Sequence, residues 1–272
     1  MDTLLAVFAH PDDEQFGTSG ALLTCVERGV AVHVLCATRG DAGEISDPAL
    51  ATPATLGAVR EEEMRAACRI LGIAEPAFLD YPDGGLTLVE PEELARKVVA
   101  AIRRLRPRVV ITFDANGGYG HPDHIAIHRA TVAAFDRAAE PGFAPDLGAP
   151  HRAAKLYATA YPRSVFPAMD AAFVAHGFST LGFGDVQTIA DAEIGTPDAA
   201  ITTAVPVDRF WDTRRASLLA HRTQYGAAHP FALLPEAAMR PLLATDHFRR
   251  IHPPPPPGAT LPDETDLWAG LA

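Results

Sequence analysis

Leu4-Leu5-Ala6-Val7-Phe8-Ala9-His10-Pro11-Asp12-Asp13-Glu14 lies close to the start of the chain and decides its fold. Six apolar residues in a row, without alternation, describe a strand buried on both faces, as in a parallel sheet. One histidine and three carboxylates follow at once. In open parallel sheets, ligands bind beyond the carboxyl ends of the strands, so the stretch delivers these groups where a site is expected.

Working outward, strand-like and helix-like patterns alternate. A helix is predicted over 13–28, stopped by Gly29, then a strand over Val30–Ala37. A helix over 55–71 carries Arg60-Glu61-Glu62-Glu63 and ends at Gly72. Ala77–Leu79 is a short strand, Glu90–Leu105 a helix with Pro91 in its first turn, Val109–Phe113 a strand and 124–138 a helix. This alternation predicts βαβ units: an α/β, Rossmann-like three-layer sandwich with a mostly parallel sheet.

The second half is less regular. Leu156–Tyr161 reads as a strand and Asp208–Gln224 as a helix, with a Gly-, Ala- and Asp-rich segment between them suited to a lid or substrate loop. Pro253–Pro257 read as the end of the fold and as a spacer before an acidic tail. The expected organisation is one domain over 1–272: core units in 1–140, completing elements in 141–252 and a proline-rich tail in 253–272.

Composition narrows the function. The formal net charge of −11 disfavours nucleic acid and anionic membrane and favours a small-molecule partner. Cys25, Cys36 and Cys68 are odd in number and lack a Cys-x-x-Cys pattern, which fits a reducing cytosol; Cys25 and Cys36 fall in apolar runs and read as buried small hydrophobes. No signal segment or membrane span is apparent, and a cytoplasmic location is expected. A homo-oligomer is compatible with all of this. Gly182-Phe183-Gly184 is too short to be a dinucleotide fingerprint.

A second passage matches the first. After Val109–Phe113 comes Asp114-Ala115-Asn116-Gly117-Gly118-Tyr119-Gly120-His121-Pro122-Asp123-His124. Pro and Asp are ordinary first-turn helix residues, which accounts for either passage alone. Two helix starts require neither histidine, however, and both passages have the form His-Pro-Asp followed by a potential ligand.

A catalytic zinc commonly takes three protein ligands and leaves a position for water. His10 and Asp13 can face one point across a turn, with His124 arriving from the other strand end. Asp12 is the spare carboxylate to act as base. His121, as an imidazolium held by Asp123, is expected to stabilise the oxyanion and protonate the amine.

The Ala9–Glu14 motif with Gly117–His124 resembles the LmbE/PIG-L family of zinc N-deacetylases, over residues 3–140. The run Thr112–His124 is especially similar to the mycothiol branch, the glucosaminyl-inositol deacetylase and the mycothiol-conjugate amidase. The resemblance implies N-deacetylation of an N-acetylglucosaminyl small-molecule conjugate, with the conjugate amidase as alternative. It implies His10, Asp13 and His124 as Zn2+ ligands and Asp12 as general base. His121 would be the electrostatic or acid group, Asp123 its orienter, and Tyr119 a mobile group at the carbonyl. It also implies Arg60 as a sugar-binding residue, and His221-Arg222-Thr223-Gln224 as a segment near the site.

Fe2+ suits the same ligand set. Arg39 and Glu44, in the loop after the second strand, are further candidates for substrate contact. His128 sits at zinc-pair spacing from His124 but reads as a packing residue, and His33 as a satisfied core or edge histidine. Two rivals remain: a non-haem iron oxygenase with His10, Asp12 and His124 as its triad, and a non-catalytic sugar- or metal-binding module.

Overall fold

The computed structural model describes residues 2–179 and 194–271. Gly182-Phe183-Gly184 and part of the Gly-, Ala- and Asp-rich segment therefore lie outside the described residues.

Five parallel strands form the body of a seven-stranded sheet: β1 (Thr3–Phe8), β2 (Ala31–Thr38), β3 (Ala77–Tyr81), β4 (Val109–Thr112) and β5 (Lys155–Ala160). Two more, β6 (Thr203–Pro206) and β7 (Thr245–His252), complete the order β3-β2-β1-β4-β5-β7-β6. β7 runs antiparallel to both of its neighbours. The chain steps from β1 outward to β3, then returns to place β4 on the other side of β1. The strand order thus reverses between β1 and β4, where a crevice opens beyond their carboxyl ends. Both His-Pro-Asp passages follow these two strands.

The helices are α1 (Ser19–Glu27), α2 (Leu56–Leu71), α3 (Pro91–Leu105), α4 (Pro122–Arg137), α5 (Val165–Ala175) and α6 (Trp211–Leu218). α3 packs on α4, and α2 packs on α6 and α1, giving the expected sandwich. β1 and β4 are buried along almost their whole length, which accounts for their uninterrupted apolar sequence. α2 ends where Gly72 adopts a left-handed conformation, and Pro91 occupies the first turn of α3.

Three expectations need correction. The helix predicted over 13–28 begins only at Ser19, because Asp12 (φ 105°) and Gly17 (φ 64°) hold the preceding residues in an irregular loop. The helix predicted over Asp208–Gln224 contains α-helix only from Trp211 to Leu218. The chain then turns inward, so that Thr223 N–H and hydroxyl both donate to Glu63.

Nor does the fold end at the prolines. Glu264 accepts from Lys155 Nζ (2.6 Å) and the Tyr157 hydroxyl (2.8 Å), while Leu267 and Trp268 are buried in the main core. The tail is a strap rather than a spacer. Trp268→Ala is expected to cost about 3–5 kcal/mol, as removal of a buried aromatic does, measurable by urea unfolding.

Candidate active site

The two loops beyond β1 and β4 meet. His10 Nδ1 lies 3.2 Å from His124 Nε2, Asp13 Oδ1 is 3.3 Å from His124 Nε2, and Asp13 Oδ2 is 3.6 Å from His10 Nδ1. Each group is fixed by a partner outside this trio. Asp13 Oδ2 accepts from the His10 and Ala9 amides, which leaves Oδ1 facing His124. His124 Nδ1 donates to the Gly117 carbonyl at 3.0 Å, so its Nε2 carries a lone pair. Gly117 has φ 64°, and a Cβ there would sit 2.8 Å from His124 Cβ, so this approach requires glycine. His10 Nε2 faces Asp83 Oδ1 (2.9 Å) and Asp123 Oδ2 (3.4 Å), which leaves Nδ1 as its lone-pair nitrogen.

Two imidazole lone pairs and a carboxylate oxygen therefore converge. Such a set is repulsive unless a cation sits among them. A tetrahedral zinc with bonds of about 2.0–2.1 Å needs ligand atoms about 3.3 Å apart; the distances from His124 Nε2 to His10 Nδ1 and to Asp13 Oδ1 match this, while the Asp13 oxygen nearer His10 is Oδ2. Electrostatics agree. Without an ion, Asp123, Asp83 and Asp13 hold His10 up at about 10 against burial, so that a proton takes the positive charge a metal would otherwise supply, while burial and His10 push His124 down to about 3. The pocket calls for positive charge between them. Among the described residues, the sets whose ligand atoms all lie within 4.8 Å of one another are His10 with His121 and His124, and His10 with Asp83 and Asp123.

Asp12 lies beside this point. Burial raises its carboxyl to about 6, against the pull of Arg60, whose Nη2 is 3.3 Å from Asp12 Oδ2. Arg60 is almost wholly buried and also donates to the Pro11 and Gly40 carbonyls, so it lies beneath Asp12. Gly40 adopts φ 65°, and a Cβ there would come within 2.3 Å of the Arg60 guanidinium. Gly40→Ala is therefore expected to displace Arg60, lower turnover and cost about 1–3 kcal/mol, read by parallel kinetic and melting assays.

Asp123 departs from its expected role. Its carboxylate accepts from Gly84 N–H (2.8 Å) and Leu86 N–H (3.1 Å) and faces His10, not the His121 ring. Instead, the Asp123 backbone N–H donates to His121 Nδ1, which caps α4. With Nδ1 engaged as an acceptor, the proton of His121 sits on Nε2 and the ring is neutral. Burial, His10 and His124 also lower its pKa. The imidazolium expectation is thus replaced by a neutral donor.

Tyr119 sits half-exposed at the cavity, its ring 5.3 Å from His124 and 6.0 Å from His121. Arg39 is not brought to the site. Its guanidinium pairs with Glu61 and Asp80 and lies over Phe78, and neither it nor Glu44 is among the described lining residues. His128 donates to the Phe113 carbonyl (2.7 Å), a packing role. His33 is partly buried on β2, and all three cysteines are buried and free.

Several groups escape sequence reasoning. Asp83 stands in Tyr81-Pro82-Asp83-Gly84-Gly85, a turn signature whose place after a third parallel strand is the available signal. His221, in the segment the resemblance puts near the site, is fully buried, and what the sequence does not give is its partner Glu14. The cavity, about 600 Å³, runs from the histidines to an apolar wall that includes Phe16, Val165, Phe166, Met169, Leu242 and Leu243.

A parallel sheet that gathers imidazoles and carboxylates at its reversal point fits the class of deacetylases. The profile of GlcNAc-PI de-N-acetylases, the PIG-L family, matches residues 5–135. The 1D-myo-inositol 2-acetamido-2-deoxy-alpha-D-glucopyranoside deacetylase of Thermobifida fusca is 34% identical over 287 residues, covering 98% of each chain. The conserved protein TT1542 of Thermus thermophilus superposes with TM-score 0.64 at 28% identity, covering 93% of this chain and 96% of that one. The N,N'-diacetylchitobiose deacetylase of Pyrococcus horikoshii shares the fold, with TM-score 0.67 at 17% identity, covering 92% and 84%. The chain belongs to the PIG-L deacetylase family.

Proposed function

We propose that this chain hydrolyses the acetamide of an N-acetylglucosaminyl small-molecule conjugate, of the inositol type on which its curated relatives act, at a zinc site formed by His10, Asp13 and His124. The observation that carries this reading is that His124 Nε2 lies within 3.3 Å of both His10 Nδ1 and Asp13 Oδ1, with the Asp12 carboxylate in the same cavity. A zinc ion there supplies Lewis acidity towards the carbonyl and lowers the pKa of water.

The remaining work falls to the protein. Asp12 accepts the proton of the attacking water and returns it to the departing amine; a carboxyl lifted to about 6 suits both transfers. Arg60 holds Asp12 in place. Neutral His121 offers Nε2–H, and Tyr119 its hydroxyl, towards charge developing on the carbonyl oxygen. Asp83 and Asp123 fix the His10 ring.

The oxygenase reading is not favoured. Asp13 rather than Asp12 stands between the imidazoles, and Asp12 is turned to Arg60. The amidase reading, with a larger apolar conjugate, is favoured by one feature, the apolar far wall of the cavity. Among the described residues no helix is long and apolar enough to cross a membrane, and three buried free thiols suit a reducing cytoplasm.

The test is amine release from N-acetylglucosaminyl-inositol, free N-acetylglucosamine and an S-conjugated thiol analogue. The inositol conjugate is expected to be cleaved best. Dialysis against a chelator should abolish turnover, and zinc, or ferrous iron, should restore it. Metal-replete protein that releases no amine from any acetamido sugar refutes the proposal.

A further inference from the structure

The mechanism leaves one buried charged pair unused. Glu14 and His221 are both 0% exposed, and they come from opposite ends of the chain. Glu14 Oε1 accepts from His221 Nε2 at 2.7 Å and from Gln15 Nε2 at 2.5 Å. Gln15 Nε2 also donates to Ser217 Oγ on α6. His221 Nδ1 has no partner among the described residues. Burying a carboxylate and an imidazole, with one ring nitrogen unsatisfied, is costly compared with apolar side chains of like size. Packing alone does not account for the pair.

The other Glu14 oxygen shows what it does. Oε2 accepts the Asp12 N–H at 3.0 Å. The carbonyl of the same peptide unit, on Pro11, accepts from Arg60 Nη2 at 2.6 Å. Both ends of the Pro11–Asp12 peptide are thus gripped by buried charged side chains, an acid on one side and a base on the other. Asp12 has φ 105°, a conformation a non-glycine residue keeps only when its surroundings impose it. Arg60 also meets the Asp12 carboxylate, so peptide and side chain are set together.

We propose that Glu14, braced by His221, is a positioning residue: it locks the Pro11–Asp12 peptide so that the Asp12 carboxylate faces the reaction site. This rests on the reading of Asp12 as the base and extends it to a residue on a distant loop.

The experiment is a double-mutant comparison in the zinc-loaded full chain, with zinc content and melting temperature measured for every variant. Glu14→Ala is expected to lower kcat by about 10–100-fold, the usual range for residues that orient a site group, with KM and zinc content unchanged. Glu14→Gln, which keeps an oxygen for the Asp12 N–H, should recover most of the loss. His221→Phe, similar in bulk but without the donor, should lower kcat less than Glu14→Ala. In the Asp12→Asn background neither Glu14→Ala nor His221→Phe should change the residual rate, because both act through Asp12. Should Glu14→Ala fail to fold, His221→Phe in the two backgrounds decides.

Full activity of Glu14→Ala or of His221→Phe, loss of zinc, or the same fold-loss in both backgrounds overturns the proposal. Full activity of Asp12→Asn by itself overturns the underlying reading instead, which keeps the two failures distinct.

Discussion

Asp12→Asn is expected to reduce kcat by about 10²–10⁴-fold, the usual contribution of a positioned general base, while the protein keeps its metal. Asparagine preserves the shape of the side chain and tolerates positive φ better than most residues. It can still accept from Arg60, so the structural cost is small. What it loses is the capacity to take a proton. Metal analysis beside single-turnover kinetics separates three cases. Low turnover with full metal assigns the base. Low turnover with lost metal makes Asp12 a ligand, as the oxygenase triad requires. Unchanged turnover removes Asp12 from the chemistry and favours a binding module.

His124→Ala should have the second largest effect. The imidazole supplies Nε2 to the trio, its Nδ1 donates to Gly117, and its ring stacks on Phe113 at a centroid separation of 3.9 Å. Alanine removes one of the three proposed ligands and leaves a void beside Phe113. Metal affinity is expected to fall at least about tenfold, and activity at limiting metal with it. His128→Ala is the control, because that ring points to the Phe113 carbonyl. Equal metal content in the two variants would argue against His124 as a ligand.

Much of this arrangement is legible in the sequence, for a physical reason. Strands buried on both faces must be continuously apolar, so β1, β2 and β4 stand out, and the groups that follow β1 and β4 must share the mouth of the sheet. β7 does not stand out. Thr245–His252 buries Asp246, Phe248 and Arg250 on alternate positions, and Asp246 is neutralised by Arg214 from α6 at 3.0 Å. A strand whose inward face is an ion pair gives no hydrophobic signal. The tail escapes for a related reason, since its anchors are Glu264, paired with Lys155, and the lone Trp268.

Spacing also cannot say which way a carboxylate turns. Asp123 stands out in its motif but serves His10 rather than its neighbour His121. The resemblance puts the His221 segment near the site but does not give its partner, because Glu14 lies more than two hundred positions away.

Because β7 runs against β5, it brings the beginning of a strand, Thr245 to His247, to the mouth of the cavity, with His247 beside Ala160. Apart from Phe16, that wall and α5 lie beyond residue 135, whereas every group assigned to bond cleavage lies before it. On the proposed function, cutting and choosing thus fall to separate parts of the chain. Stretches such as 160–170 and 224–247 can be exchanged among relatives to retune which conjugate is accepted while the hydrolytic half is inherited intact. One tether crosses this division: His221, just before the second stretch, grips Glu14 and is best left in place by any such exchange.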